Sequence, residues 1–280
     1  MQDVAIIGAG ELGGATAHAL ARSNLVRSIT LIDETGRVAA GKALDMAQAA
    51  PVEGFATQLS GVTDLSMAAG ASIVILADPI TGGEWQGEDG LVLLKRLSRT
   101  ASGAVILCAG PAQRELIDRG VQELKFPRTR LFGSAPESLA AAARALVALA
   151  VNGSPRDISL SVLGVPPAHT VIPWADATVA GFALTRLVDE PSRRRLAARV
   201  TAAWPPGPYA LAAAAAVVVE AMTGRSRRIA SCFVAPDFST GTHTRTGAMP
   251  VRLGSAGIVE MVSPSLSAAE QVALDNAMMI

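Results

Sequence analysis

The sequence has few aromatic residues, few cysteines and no net charge, and each shortage excludes a class of protein. Phe, Trp and Tyr make up 4% of the 280 residues. Two cysteines, Cys108 and Cys232, cannot build a disulfide framework and suit a reducing compartment. Lys plus Arg and Asp plus Glu are equal at 24 each, so we expect no nucleic-acid partner and no strong electrostatic steering of a ligand.

Long hydrophobic runs are also missing. The longest apolar run, residues 211–219, ends at Glu220 and is much shorter than the ~20 residues that a membrane-spanning helix needs. The first residues lead directly into a predicted strand with no basic segment, so we expect no signal peptide. Half of the residues are hydrophobic, which is enough for a large core. We therefore expect a cytoplasmic α/β protein with no membrane partner, and we assign no metal ligands.

A glycine-rich turn lies between a predicted strand and a predicted helix at the start of the chain. Residues 4–7 are an apolar run, followed at once by Gly8, Gly10 and Gly13 and then by a helical pattern over residues 14–24. Glycine at these positions allows a tight turn, a close approach of the backbone to a pyrophosphate, and close packing of helix on strand. The helix amino-terminus offers free N–H groups to the anion. The pattern predicts a dinucleotide site.

An acidic residue completes this fingerprint. A second predicted strand, residues 28–32, ends at Asp33, twenty residues after Gly13. Its carboxylate would accept hydrogen bonds from the adenosine ribose hydroxyls and repel a 2′-phosphate, which favours NAD over NADP. The alternative is a glycine-rich turn in another doubly wound fold. The predicted cofactor-binding residues are Gly8, Gly10, Glu11, Leu12, Gly13, Asp33 and Ala77.

The alternation of strands and helices predicts two domains. Up to residue 134, buried strands alternate with helices, including strands over 55–60 and 73–77, as in a doubly wound parallel sheet with helices on both faces. From residue 135 the order changes to helices and predicted antiparallel strands, among them a strand over 158–164 and an irregular turn over 165–170. We therefore predict a Rossmann NAD-binding domain over residues 1–134 and an α+β domain over residues 135–280.

One predicted helix, residues 37–50 with Pro51 as its end, has too narrow a polar side for a helix that packs on one sheet. Its polar positions Lys42, Asp45 and Gln48 form a thin stripe, so apolar surface remains beyond what the sheet covers. Such surface is typical of an interface. We expect a homodimer, or a larger assembly of dimers, formed through this helix.

The whole chain resembles the L-lactate/malate dehydrogenase superfamily. Besides the fingerprint, the resemblance rests on GKALD leading to Ala50-Pro51, the strand over 71–77, LFGS at 131–134, TVAG at 178–181, LGSAGIVE at 253–260 and LSAAE at 266–270. It implies an NAD-binding domain, a catalytic domain, association through the helix named above, and hydride transfer between NADH and a 2-oxo acid.

The catalytic groups implied by the resemblance do not match this sequence. Family members have two arginines on the loop after the fourth strand, an asparagine after the fifth, an aspartate and an arginine on the following helix, and a catalytic histidine in a later turn. The positions that match them are Thr81, Gly87, Gly110, Leu139, Ala142 and Pro166. We therefore assign no catalytic residue.

Three other groups of side chains are candidates for chemistry. His169 lies three residues after the position of the lost histidine, but a surface or hydrogen-bonded loop histidine is the more common situation. Cys108 ends a strand near the expected nicotinamide position, where a buried free thiol is the default. Glu84, Glu88 and Asp89 make a loop acidic. Solvation is the usual reason, and a lid that repels carboxylates or admits a cation is the functional alternative.

Three hypotheses follow. The first is an NAD(H)-binding homologue, such as a redox sensor or partner subunit, without the usual dehydrogenase activity. The second is a divergent NAD-dependent oxidoreductase for another substrate, using groups such as His169, Glu137 or Asp176. The third is a working 2-hydroxyacid dehydrogenase whose site residues lie elsewhere in the sequence. We favour the first.

Overall fold

A computed structural model describes residues 2–237 and 244–279. Its helices are α1 (Glu11–Ser23), α2 (Gly36–Glu53), α3 (Gly87–Thr100), α4 (Arg114–Gln122), α5 (Ala135–Val151), α6 (Glu190–Thr201), α7 (Pro208–Met222) and α8 (Ala268–Met279). Its strands are β1 (Gln2–Ile7), β2 (Val26–Ile32), β3 (Gln58–Val62), β4 (Ile73–Leu76), β5 (Val105–Cys108), β6 (Leu131–Gly133), β7 (Ile158–Ser159), β8 (Leu163–Val165), β9 (His169–Val171), β10 (Thr178–Val179), β11 (Phe182–Ala183), β12 (Ala230–Val234), β13 (Gly247–Gly254) and β14 (Gly257–Met261).

The first six strands form a parallel sheet in the order β3-β2-β1-β4-β5-β6. β1 lies between β2 and β4, with Ile7 opposite both Ile32 and Leu76. The central strands β4 and β5 are short apolar runs that are buried on both faces. Because parallel strands end at one edge, the turn after β1, Asp33 after β2 and the loop after β4 lie together.

The second half continues the same sheet with antiparallel strands. β12 joins β6 through the pair Phe233 and Gly133, and β13, β8 and β9 follow in that order. Among the described residues, β7, β10 and β11 form a separate three-stranded sheet. The predicted fold class, a Rossmann sheet followed by an α+β half, is confirmed. The division between residues 134 and 135 stays a prediction.

The main core crosses from one half to the other. Leu20 of α1, Val218 of α7 and Phe233 of β12 belong to one buried apolar cluster, and α1 packs directly on α7. A second cluster lies under α5 and α6 and contains Leu139 and Val200. Within residues 2–237 and 244–279, no helix has the length and hydropathy to cross a membrane.

Three boundaries predicted from the sequence were wrong. The strand predicted over 55–60 lies at Gln58–Val62, and the one predicted over 158–164 is split into β7 and β8, which belong to different sheets. The turn predicted over 165–170 contains the start of β9. Each is a short polar-interrupted segment whose strand pairing is decided by distant partners and not by its own pattern.

The helix predicted to end at Pro51 is longer than expected. α2 continues through Pro51 to Glu53 and stops at Gly54, whose φ of +76° is left-handed and whose N–H bonds the Ala50 carbonyl at 2.9 Å. A left-handed glycine is a stronger end signal than a proline in the last turn. The extra residues let Glu53 reach His18 of α1 at 2.8 Å.

Candidate functional site

The glycine-rich turn joins β1 to α1 with no room for side chains. Gly8 has a φ of +102°, and a Cβ there would lie 2.4 Å from the carbonyl oxygen of Asp78. A Cβ on Gly13 would lie 2.1 Å from the Gly8 carbonyl oxygen. The Gly10 N–H donates to the Asp78 carbonyl at 2.8 Å, which ties the turn to the end of β4. Helix and strand therefore pack as closely as the fingerprint requires.

Asp33 is almost completely buried at the end of β2, with 6% of its surface exposed. Its Oδ2 accepts hydrogen bonds from the N–H groups of Ala9 at 2.9 Å and Ile80 at 3.0 Å. Its Oδ1 accepts one from Thr35 at 2.9 Å. Each carboxylate oxygen can accept about two bonds. By these contacts Oδ2 is saturated, while Oδ1 can still accept a hydroxyl.

Asp78, directly after the buried Ala77, places its carboxylate at the amino-terminus of α1. Oδ2 accepts from the Glu11 N–H and Oδ1 from the Gly13 N–H, both at 2.9 Å. A Cβ on Gly10 would lie 2.3 Å from Asp78 Oδ2. The carboxylate therefore fills the space that glycine leaves open in this turn. Sequence reasoning missed Asp78. The available signal was an acid directly after a strand that neighbours the glycine-rich turn.

The loop after β4, which we call the strap (residues 78–86), is anchored at three points over this edge. Asp78 binds α1, and the Ile80 N–H binds Asp33. Farther along, Glu84 Oε2 accepts from the Ala112 N–H at 3.0 Å, next to the end of β5. Burial raises the pKa of Glu84, the Ala112 hydrogen bond opposes this, and the charge of Asp78 adds to the rise.

Solvation therefore does not account for every acid in this loop. Glu84 is partly buried against Gly110, where a Cβ would lie 2.0 Å from its Oε2. Glu88 is exposed and pairs with Arg119 at 2.8 Å, and Asp89 is exposed at the start of α3. Solvation, the explanation expected from the sequence, was therefore wrong for Glu84, because its carboxylate contacts the protein.

Lys42 brings a positive charge to the same turn from α2. Its Nζ donates to the carbonyl oxygens of Ala9 at 2.7 Å and Gly10 at 2.8 Å. It thus offsets part of the negative charge that Asp33 and Asp78 place at this edge. The resemblance motif over residues 41–45 contains this lysine, but its contact with the turn was not foreseen.

The six positions where the resemblance implies catalytic groups differ in their burial and in the elements that carry them. Thr81 is exposed on the strap, and Gly87 is exposed at the start of α3. Leu139 is fully buried in the apolar cluster under α5, while Pro166 is buried in the segment between β8 and β9. The remaining two are Gly110 and Ala142. None of these six residues is charged or titrates near neutral pH, and the hydroxyl of Thr81 is the one polar side-chain group among them.

Glu137, one of the candidate reactive groups, is buried in an ion pair. It lies in the first turn of α5 with 2% of its side chain exposed and contacts Arg144 at 2.5 Å. Its second oxygen accepts from the Ser231 N–H at 2.8 Å, and Arg228 approaches at 3.7 Å. The burial of Arg228 lowers the pKa of its guanidinium, and the neighbouring Arg144 adds to this. These contacts give Glu137 a structural role that joins α5 to β12.

A cavity of about 1020 Å³ opens beside this ion pair, lined by α5, α7 and the segment around β7. Its polar wall includes Arg144, Arg228 and Asp176, and Asp176 also accepts from the Ser265 N–H at 3.3 Å. Its lining does not include the glycine-rich turn, Asp78 or Pro166. The space is therefore separate from the predicted dinucleotide site.

Two further candidates have ordinary surroundings. His169 is exposed on β9, at the opposite edge of the sheet from β3. Cys108 is completely buried, and burial raises its pKa far above the ordinary value, so its thiolate is suppressed. Among the described residues, no group of three His, Cys, Asp or Glu side chains could hold a metal ion.

Comparison with known proteins agrees with this architecture. Residues 2–91 match the family model of the lactate/malate dehydrogenase NAD-binding domain. The malate dehydrogenase of Thermomicrobium roseum is 28% identical over 97% of this chain and 93% of its own. The malate dehydrogenase structure from Salinibacter ruber has a TM-score of 0.88 at 24% identity, covering 98% of this chain and 93% of that one. The full-length similarity and the matched NAD-binding domain support membership of the lactate/malate dehydrogenase superfamily.

A further structural likeness concerns the fold. The lactate dehydrogenase of Cryptosporidium parvum matches with a TM-score of 0.85 at 19% identity, covering 99% of this chain and 95% of that one. The family resemblance drawn from the sequence is confirmed, as is NAD as the cofactor of this domain family.

The residues at the predicted dinucleotide site fit NAD only in part. The turn, the start of α1 and Asp33 have the arrangement of the fingerprint. Asp78, however, binds the N–H groups of Glu11 and Gly13 at the helix end that the fingerprint assigns to the pyrophosphate, and its charge has the same sign. With the strap in this position, the site does not fit the pyrophosphate group.

Proposed function

We propose that this chain is an NAD(H)-binding member of the lactate/malate dehydrogenase superfamily that does not reduce 2-oxo acids. The observation that carries the proposal is the set of uncharged side chains at the six expected catalytic positions. Leu139 and Pro166 are buried and have hydrocarbon side chains, so neither could hold or transfer a proton. A redox sensor or a partner subunit is the kind of role that remains.

The energetic cost of these replacements is large. An arginine that binds a carboxylate through two hydrogen bonds gives a strong charge-assisted contact. A missing general acid–base typically costs ~10²–10⁴ in rate. Catalysis needs interactions that are stronger in the transition state than in the ground state. Leu139 and Pro166 offer none to a ketone or carboxylate, and Thr81 offers only an uncharged hydroxyl in place of a guanidinium.

We propose that the cofactor contacts are those predicted from the sequence. Asp33 would bind the adenosine ribose through the acceptor position left on Oδ1, and the Glu11–Leu12 backbone would lie near the pyrophosphate. Ala77 lies behind the turn, fully buried. Replacement of Asp33 by serine should relax the preference for NADH over NADPH.

The proposed lack of activity is tested by NADH oxidation at 340 nm with purified protein and millimolar pyruvate or oxaloacetate. We expect a rate at least ~10³-fold below the ~10 s⁻¹ that is typical of enzymes. Calorimetry with NADH in parallel establishes whether the cofactor binds. Turnover near 10 s⁻¹ would contradict the proposal and show that the catalytic groups lie elsewhere.

A divergent NAD-dependent oxidoreductase is the second candidate. The full-length similarity to proteins named malate dehydrogenase favours it, since 97% of this chain is covered at 28% identity. Turnover with a carbonyl compound or imine that lacks a carboxylate, and not with 2-oxo acids, would select this candidate.

We also propose a homodimer in the cytoplasm, associated through α2. Val38, Leu44 and Val52 of this helix are 40%, 60% and 89% exposed. Leu44→Glu should shift sedimentation velocity toward the monomer at micromolar concentration, because a charge would enter an apolar interface. Leu149→Glu, on α5 with 75% exposure, is the matched control and should change nothing. A monomer in the unmodified protein would contradict the proposal.

A further inference from the structure

The chain itself places an anion where the fingerprint expects the cofactor. The amino-terminus of α1 carries partial positive charge and free N–H groups, which favour a bound anion. Asp78 supplies one, since its two oxygens accept from Glu11 and Gly13 at 2.9 Å each. The 2.3 Å between a Cβ on Gly10 and Asp78 Oδ2 shows that the carboxylate lies directly on the turn.

We propose that Asp78 is a built-in competitor of the cofactor, so that NAD(H) enters when the strap withdraws this carboxylate from α1. The proposal rests on the proposed function, that the chain binds NAD(H). The predicted pyrophosphate position at the Glu11–Leu12 backbone includes the Glu11 N–H that Asp78 already binds, and both groups carry negative charge. They cannot occupy this helix end together.

The position of Asp78 also determines where the movement must begin. Ala77 is held in the sheet, because its N–H donates to the Ile7 carbonyl at 2.9 Å and Leu76 pairs with Ile7. The chain is free to turn from Asp78 onward, provided that the bond from Gly10 N–H to the Asp78 carbonyl lengthens or the side chain rotates. The movement is therefore local to the strap.

The strap has the features that such a movement requires. Gly82 and Gly83 have φ values of +91° and +84°, and a Cβ on either would meet nothing within 4 Å. These two glycines separate the anchors at Asp78 and Ile80 from the anchor at Glu84. They can change conformation without steric conflict, which is how hinges absorb movement.

Withdrawal of the strap opens two parts of the cofactor site together. The Ile80 N–H occupies one acceptor position on Asp33 Oδ2 at 3.0 Å. When the strap leaves, Oδ2 regains a position for a ribose hydroxyl at the same time as Glu11 and Gly13 regain their N–H groups. One segment thus closes both the ribose and the pyrophosphate positions.

Calorimetric titration with NADH tests the inference. The proteins are the unmodified chain, Asp78→Asn, Asp78→Gly, and Asp189→Asn as control. Asp78→Asn keeps the size of the side chain and removes its charge, so we expect at least ~10-fold tighter NADH binding, and more for Asp78→Gly. Asp189 caps α6 in the same way, by accepting from the Ser192 N–H at 2.9 Å, and its replacement should leave NADH affinity within ~2-fold.

The outcomes separate the inference from the proposed function. Equal NADH affinity in the unmodified chain and both Asp78 variants would overturn the inference and leave NAD(H) binding in place. No binding by any of these proteins would overturn both, since removal of Asp78 would then open nothing. Far-UV circular dichroism establishes that each variant is folded, and Asp78→Asn keeps the test valid if Asp78→Gly is not. An equal gain in Asp189→Asn would also overturn the inference.

Discussion

Asp78 and Glu137 are both carboxylates that accept backbone N–H bonds near the start of a helix, but they are held in different ways. Glu137 is 2% exposed and paired with the buried Arg144. Asp78 is partly exposed, and its carboxylate binds the N–H groups of Glu11 and Gly13. A carboxylate that is paired with a buried guanidinium stabilises the fold. By contrast, we infer that a carboxylate held only by N–H groups at a helix end can be replaced by an external anion.

The largest effect should follow from removing the locked carboxylate. Glu137→Ala leaves Arg144 buried without its partner and the Ser231 N–H without its acceptor, so we expect the free energy of unfolding to fall by ~3–5 kcal/mol. Urea denaturation measures it. Glu190→Ala is the control, because Glu190 forms an exposed pair with Arg194 in α6, where pairs contribute little. Equal small losses in both variants would remove the distinction between the two carboxylates.

A smaller effect should follow at the exchangeable carboxylate. Asp78→Ala deprives the start of α1 of two acceptors and should lower the free energy of unfolding by ~1 kcal/mol, as the loss of a helix cap does. Saturating NADH should then raise the melting temperature more in this variant than in the unmodified protein, because ligand stabilisation follows affinity. A larger loss than for Glu137→Ala, or no added NADH effect, would contradict the comparison.

The smallest effect concerns Glu84, the third anchor of the strap. Burial raises the pKa of Glu84, so the folded protein binds its proton more tightly than the unfolded chain does. This contribution to stability is complete below the ordinary value of 4.5 and is lost as the pH rises through the folded pKa.

Glu84→Gln should therefore be slightly more stable than the unmodified protein at pH 7, with the difference vanishing toward pH 4. Urea denaturation over pH 4–8 tests this. Glu115→Gln, exposed in the first turn of α4, is the control for removal of a surface carboxylate. A difference of the opposite sign at pH 7 would show that the Ala112 hydrogen bond outweighs burial.

Local patterns were sufficient to predict the first half of the fold. The apolar run before Gly8, the glycine spacing and the acid at residue 33 are signals that lie close together in the sequence, and the predicted strands and helices around them are present. The second half was harder, because short strands such as β7 and β8 are defined by partners far along the chain. The end of α2 was wrongly predicted at Pro51, because Gly54, three residues later, ends the helix.

The sequence predicted that the glycine-rich turn and Asp33 lie at one edge of the sheet, but it did not reveal Asp78 and Lys42 beside them. Asp33 and the glycines follow a known spacing, so their meeting at one edge could be foreseen. Asp78 and Lys42 act through contacts between elements 32 to 67 residues apart, which no local periodicity records. The uncharged residues at the expected catalytic positions could be seen in the sequence, but the carboxylate that occupies the helix end could not.

The shared core of the two halves limits how this molecule can admit a cofactor. β12 joins the parallel strands through Phe233, and α1 packs on α7 within a single apolar cluster. A hinge motion between the two halves would have to separate this core and break the hydrogen bonds of a continuous sheet. We therefore expect the cofactor to enter by movement of the strap alone. Such a movement would leave the overall shape of the protein and its cooperative unfolding unchanged.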